Sequence, residues 1–231
     1  MPSTIDDSVR VWTLPECDPK LKEYFILSPF TECDRATWRG YDRVYSHYLK
    51  HLRHEPINIM EVGLESGYGA LAWARYFHNS NVYGMDINKE WLSTYEDIKY
   101  KYPQVKDRLH FRCPASSLHH SSWSEFNDDF FDIIIDDGDH RFPSMYSTFY
   151  NSIKKLKPGG WYFIEDIHLY LEIQVQEYLK ILEPIVTEYN ATIYCHNNYN
   201  AKLKYASDPT TIDPDFVNYI IAIQKPRIRA V

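Results

Sequence analysis

Cysteine is scarce in this sequence. The four that occur, Cys17, Cys33, Cys113 and Cys195, form no Cys-x-x-Cys pair. Zinc spacing and a disulfide framework are both argued against, and reduced thiols are the expectation. Basic charge is short as well. Against 32 Asp and Glu stand 25 Lys and Arg, a formal net charge of −7, so no broad cationic surface exists to neutralise a phosphate backbone. Nucleic acid is not expected as a partner. No apolar run approaches the length that spans a bilayer, and the opening MPSTIDDSVRVWTLPECD is polar and acidic without a signal-peptide core. No membrane partner is expected, and the expected location is cytoplasmic. Glycine is the most telling shortage. The 231 residues hold eight, about half of what the average usage of ~7% would give. Three of them, Gly63, Gly67 and Gly69, fall together in EVGLESGYG.

What is abundant is an alternation of short apolar runs with helical patterns, the mark of a parallel sheet covered by helices. INIMEV (57–62), NVYGMDI (81–87), RLHFRC (108–113), FDIIID (131–136) and WYFIEDI (161–167) read as five strands. Helices are predicted over YGALAWARYFH, about 89–102, 144–156 and about 170–187, the third closed by KPGG, where Pro158 cannot continue a helix. ATIYCH and VNYIIAIQK read as a terminal antiparallel hairpin enclosing a polar insert, HNNYNAKLKYASDPTTIDPDF. The fold class is therefore α/β, with a seven-stranded, mostly parallel sheet. Residues 1–55 form a helical extension packed on the core and 56–231 the sheet-bearing domain, one structural domain overall.

A glycine-rich turn between a first strand and its helix is where a doubly wound sheet holds a nucleotide-like ligand. In the dinucleotide fingerprint a second glycine lets the backbone approach a pyrophosphate, but here that position is Glu65, with Glu61 close by. Two carboxylates suit a ligand carrying an ammonium and a sulfonium, as S-adenosyl-L-methionine does. Asp86 closes the second strand, where an acid can accept hydrogen bonds from both ribose hydroxyls.

The end of the fourth strand reads DDGDH. Adjacent parallel strands end on one edge, so Asp137 after the fourth and Glu165 with Asp166 after the fifth can converge. Three carboxylates without a nearby cysteine favour a hard cation, Mg2+ first. His140, three residues beyond Asp137, suits a general base. The blander reading has these acids capping turns or facing solvent.

The segments DRATWRGYDRVYSHYL, EVGLESGYGALAWARYF with NVYGMDIN, IIIDDGDH and LKPGGWYFIEDI run from about Asp34 to Ile167. They resemble the class I S-adenosylmethionine-dependent methyltransferases, and among these the magnesium-dependent sugar O-methyltransferases of mycinamicin and macrocin type, a group similar also to cephalosporin hydroxylase-like proteins. The resemblance implies a Rossmann-like fold, metal ligands at Asp137, Glu165 and Asp166, and catalytic roles for His140 and Asp137. The cofactor-binding set expected with it is Tyr41, Glu61, Gly63, Ser66, Asp86, Ile87, Ala115, Ser116 and Asp136. The sequence departs from the family pattern at Asp139, usually serine, and at Arg39, usually histidine.

The leading expectation is an O-methyltransferase using S-adenosyl-L-methionine and Mg2+ on a small hydroxylated acceptor, a sugar or glycoconjugate. Self-association of the chain is compatible with it. The enzyme alternative is a cephalosporin-hydroxylase-like oxidoreductase, which lacks an evident His-x-Asp/Glu facial triad here. The non-enzyme alternative is a methyltransferase-like binding module, for which loss of the carboxylate cluster would be expected.

Overall fold

In the computed structural model of the chain, residues 17–26, 34–37, 40–169, 180, 182–184, 186–197 and 217–227 are described. The isoleucine run of FDIIID is buried from both sides. Ile133 and Ile135 join one hydrophobic core and Ile134 joins a second. A strand that is apolar at every position is what a parallel sheet with helices on both faces requires.

The strands are β1 (Asn58–Val62), β2 (Asn81–Met85), β3 (Leu109–Arg112), β4 (Phe131–Asp136), β5 (Leu156–Leu169), β6 (Thr192–Asn197) and β7 (Val217–Gln224). They form a seven-stranded sheet of order β3-β2-β1-β4-β5-β7-β6. The pairs from β3 to β5 are parallel, and β7 runs antiparallel to both β5 and β6. This is the expected mostly parallel sheet with a C-terminal hairpin. The helices are α1 (Pro19–Ile26), α2 (Asp34–Thr37), α3 (Tyr41–Leu49), α4 (Tyr68–Tyr76), α5 (Leu92–Lys101) and α6 (Phe142–Ser152). The first core holds residues of α1 to α5, and α6 contributes to the second. Tyr45 of α3 stands with its ring 4.8 Å from Trp73 of α4 and 4.8 Å from Phe163 of β5, while Phe25 of α1 meets Trp73 edge-on at 4.8 Å. These aromatic contacts seat the N-terminal helices on the sheet.

Two features of β5 differ from the sequence expectation. KPGG does not precede the strand but lies within it. Gly159 N–H donates to Lys225 O at 2.7 Å and Lys225 N–H to Gly160 O at 3.1 Å, so the segment pairs with the chain that leaves β7. The second feature is a bulge. Ile164 pairs with Ile221 but Ile167 with Tyr219, so β5 carries one residue more than β7 across this stretch. Regular alternation would send Ile164 and Ile167 to opposite faces, yet both belong to the second core. The extra residue shifts the alternation, and Asp166 takes a left-handed φ of 53° to absorb it.

The helix expected over about 170–187 falls partly outside the described residues, of which 180, 182–184 and 186–188 are helical. Residues 198–216 of the polar insert, and Arg39, lie outside them. Among the described residues no helix is long and apolar enough to cross a membrane.

Candidate active site

The turn after β1 is drawn tightly onto the end of β4. Asp137 N–H donates to Val62 O and Gly63 N–H to Met85 O, both at 2.9 Å. At Gly63 φ is +80°, and a Cβ would lie 1.9 Å from the carbonyl oxygen of Asp137. Only glycine fits. Asp86, just past β2, holds the turn from the other side: Oδ2 accepts from Glu65 N–H at 2.8 Å and Oδ1 from Asn88 N–H at 2.7 Å. A cavity of about 200 Å³ opens beside this turn. Gly63, Asp86, Ile87, Ala115, Ser116 and Asp136 of the expected cofactor set all line it. Val62, Met85, Ile87 and Leu118 supply apolar wall, and Ile87 stays 70% exposed, leaving an uncovered aliphatic surface for a planar group to lie on. Among the described residues, three aspartates and no lysine or arginine line the cavity, which offers a phosphate no cationic partner. Tyr41, Glu61 and Ser66 are not among its lining residues. Ser66 is buried in the turn, and the other two belong to the neighbouring cluster.

That cluster stands at the end of β4 and at the bulge within β5. Glu61 and Glu165 are each all but fully buried, and Asp166 is 7% exposed. The bulge lets Glu165 and Asp166, consecutive in sequence, both meet α3: Tyr41 O–H donates to Asp166 Oδ1 at 2.6 Å, and Tyr45, one turn later, donates to Glu165 Oε1. Arg35 of α2 enters the same space. Its Nε lies 2.8 and 2.9 Å from the two oxygens of Glu165, its Nη2 2.5 Å from Asp137 Oδ2 and its Nη1 2.8 Å from Glu61 Oε1. Asp137, His140 and Asp166 each offer one ligand atom, all within 4.8 Å of one another. His140 reaches this position through a φ of 56°, and its Nε2 is 4.0 Å from Asp166 Oδ2. Left-handed residues other than glycine gather at functional sites more than elsewhere.

Charge balance tests whether a cation fits. Three carboxylates, those of Glu61, Asp137 and Glu165, meet one guanidinium, and the carboxylate of Asp166 stands close to Asp137. Burial, together with Glu165 nearby, holds the Asp137 carboxyl well above the usual range, although Arg35 pulls it down. Burial pushes Glu165 up to about 7 against the opposing pull of Arg35 and Tyr45. Asp136, on the α6 side, is pushed up to about 8, again chiefly by burial. Burial opposes the charge of Arg35, but Glu165, Glu61 and Asp137 together hold it protonated. Oxygen donors crowded in this way resist carrying their charges unaided, and a hard divalent cation would fit among them.

Residues 60–167, from β1 into β5, match the family described as a methyltransferase domain. That match covers a little under half of the chain. A tetracenomycin-C rhamnosyl 3'-O-methyltransferase of Streptomyces olivaceus is 28% identical over 138 residues, which is 56% of this chain and 33% of that protein. The L-olivosyl-oleandolide 3-O-methyltransferase of Streptomyces antibioticus is 31% identical over 139 residues, again 56% and 33%. The match thus spans about a third of the length of these curated relatives. The mycinamycin-pathway methyltransferase MycE, crystallised with Mg and SAH, superposes with a TM-score of 0.59 at 16% identity, covering 91% of this chain and 55% of that one. The likeness establishes the fold alone, a Rossmann-like α/β sheet. The oxidoreductase and binding-module readings draw nothing from these matches.

Two residues of the cluster escaped the sequence reading. Tyr45 was detectable in principle, since Tyr41 and Tyr45 stand four apart on a helix and therefore on one face. Arg35 had no comparable signal. It precedes the residues that match the family and meets its three partners 26, 102 and 130 positions further along the chain.

Proposed function

We propose that the chain is an S-adenosyl-L-methionine- and Mg2+-dependent O-methyltransferase acting on a hydroxyl of a small acceptor, a sugar or glycoconjugate. The observation that carries this reading is the adjacency of two unlike sites: an aspartate-lined cavity, and an oxygen-donor cluster one strand away. Both relatives are named for O-methyl transfer to glycosylated compounds, a rhamnosyl-tetracenomycin-C and an L-olivosyl-oleandolide, which supports the acceptor class.

In this reading the cavity and Asp86 would hold S-adenosylmethionine, Asp86 at its ribose, and the bound cofactor would supply a methyl group on a sulfonium. Ile87 and Leu118 at the mouth take the planar base. Asp137, Glu165 and Asp166 would hold Mg2+, which when bound would supply positive charge that lowers the pKa of a neighbouring hydroxyl. Magnesium prefers oxygen, so the His140 imidazole is left to receive the acceptor's proton. Asp139 organises the turn beyond it, accepting from Arg141 N–H at 3.1 Å and from the Ser144 hydroxyl at 2.7 Å. Positioning of the acceptor oxygen in line with the methyl group supplies much of the rate.

The test is mass spectrometry of a sugar and glycoside library incubated with isotope-labelled adenosylmethionine. The expected outcome is methyl incorporation that chelator abolishes and magnesium restores, and that Asp137→Asn loses. Incorporation undiminished in chelator would overturn the metal half of the reading, and NADH binding as tight as adenosylmethionine binding would overturn the other.

A further inference from the structure

A second cavity lies at the opposite edge of the sheet. Asp128 stands just before β4, Lys154 and Lys155 lead directly into β5, and Tyr189 stands just before β6. β4, β5 and β6 all point the same way, so these residues gather where strands begin, whereas the carboxylate cluster stands where β4 ends. Along the six residues of β4 the separation is roughly 20 Å. The cavity measures about 540 Å³, against about 200 Å³ for the one beside Asp86. That is room for a small molecule, well away from the reacting groups.

Its lining is aromatic and polar at once. Tyr150 is 62% exposed, and Tyr146, one turn earlier on α6, stacks against it at 6.4 Å with the rings 20° from parallel. An exposed ring steadied in this way is a ready platform for an apolar face. Tyr189 adds a second ring, partly buried against the second core. The charged side chains are two of each sign, Lys154 and Lys155 against Asp128 and Glu188, and Lys155 Nζ already lies 2.7 Å from Asp128 Oδ1. Such a balance favours neither an anion nor a cation. It suits a neutral ligand that both donates and accepts hydrogen bonds. Asn151 donates from Nδ2 to Leu118 O at 2.9 Å, which fixes the amide and leaves its oxygen as an acceptor. A pyranose meets these demands, with an apolar face for a tyrosine and hydroxyls around its rim. We propose that this cavity is a second, non-catalytic saccharide subsite, which holds one neutral sugar of a glycan acceptor while a different sugar of the same chain is methylated at the far edge of the sheet. A unit held there raises the effective concentration of its neighbours at the active site, so the acceptor it serves is an oligosaccharide or larger glycan.

The inference takes its purpose from the glycoside-acceptor reading above, and its first test needs no turnover. Neutral tetrasaccharides of glucose, N-acetylglucosamine and rhamnose are titrated separately into the full chain and followed by ligand-observed NMR, with circular dichroism to confirm folding. At least one should bind. Tyr150→Ala should weaken that binding by about tenfold or more, whereas Tyr150→Phe, which keeps the ring, should stay within about threefold of the wild type. Binding of none of the three, or binding that survives Tyr150→Ala, would overturn the inference. A sulfated tetrasaccharide that binds more tightly than the neutral ones, and is lost in Lys154→Gln, would overturn the neutral class in favour of an anion. The second test compares methyl transfer to a monosaccharide glycoside and to its tetrasaccharide counterpart. Tyr150→Ala should leave the first unchanged and raise KM for the second by about tenfold, with kcat unaltered. Equal KM values for the tetrasaccharide in variant and wild type would overturn the inference while the proposed function stands. Failure of all methyl transfer with Tyr150-dependent binding intact overturns only the proposed function.

Discussion

At the ends of β1 and β2 the chain makes a cavity by withholding side chains; at the end of β4 and the bulge of β5 it makes a cluster by crowding them. The first half depends on backbone: Gly63 approaches the Asp137 carbonyl too closely for any Cβ, and Asp86 spends both oxygens on backbone N–H groups of adjoining turns. The second half depends on charge, with Arg35, Tyr41 and Tyr45 reaching in from α2 and α3 to meet acids carried by β1, β4 and β5. A pocket built from backbone fails by steric intrusion. A cluster built from opposed charges fails when one partner is removed and another is left buried alone.

The comparison can be broken most sharply on the acidic side. His140→Ala should slow methyl transfer by about 10² to 10⁴, the usual range for a general base, with adenosylmethionine affinity unchanged in calorimetry. Near-normal turnover across neutral pH would remove the imidazole from the base role. Gly63→Ala should touch both halves at once. A methyl group driven into the Asp137 carbonyl, at a left-handed φ, should cost roughly 3 kcal/mol of unfolding free energy in urea, and both ligands should bind more weakly in the folded fraction. A fully stable variant would show that the turn can retreat from β4. The smallest effect belongs to Asp86→Ala, which should weaken adenosylmethionine binding by about 1.5 to 3 kcal/mol through lost charge-assisted hydrogen bonds. Mn2+ affinity should not move, because the carboxylate faces the turn and not the cluster. A parallel loss of Mn2+ would mean that the halves are coupled.

Legibility in the sequence followed the range of the interaction. The first four strands were readable to within a residue or two because apolar runs and turn residues act locally. The glycine turn and Asp86 were readable for the same reason, since strand, turn and strand follow one another in the chain. The start of β5 was misplaced at Trp161 instead of Leu156 because Pro158 and two glycines carry a local turn signal. Pairing with the chain around Lys225, some 65 residues on, overrides it. Arg35 was illegible because nothing near it in sequence announces a buried ion pair. The convergence of Asp137 and Asp166 was expected from strand order, whereas the geometry that brings Asp166 toward α3 depends on how β7 is aligned with β5, which no local pattern encodes.

The bulge in β5 can also be read as a matter of parity. Were Asp166 simply absent, Ile164, Glu165 and Ile167 would alternate evenly, Ile167 would still enter the second core, and the pairing of β5 with β7 would run without a break. The sheet has no need of that residue. Scaffold and chemistry are therefore separable at this one position: the residue that interrupts the sheet is the same one that reaches Tyr41 and joins Asp137 and His140. A chain shortened by that single aspartate would keep the architecture and lose one of its carboxylates for the cation, so a fold of this shape is no guarantee of the site it carries here.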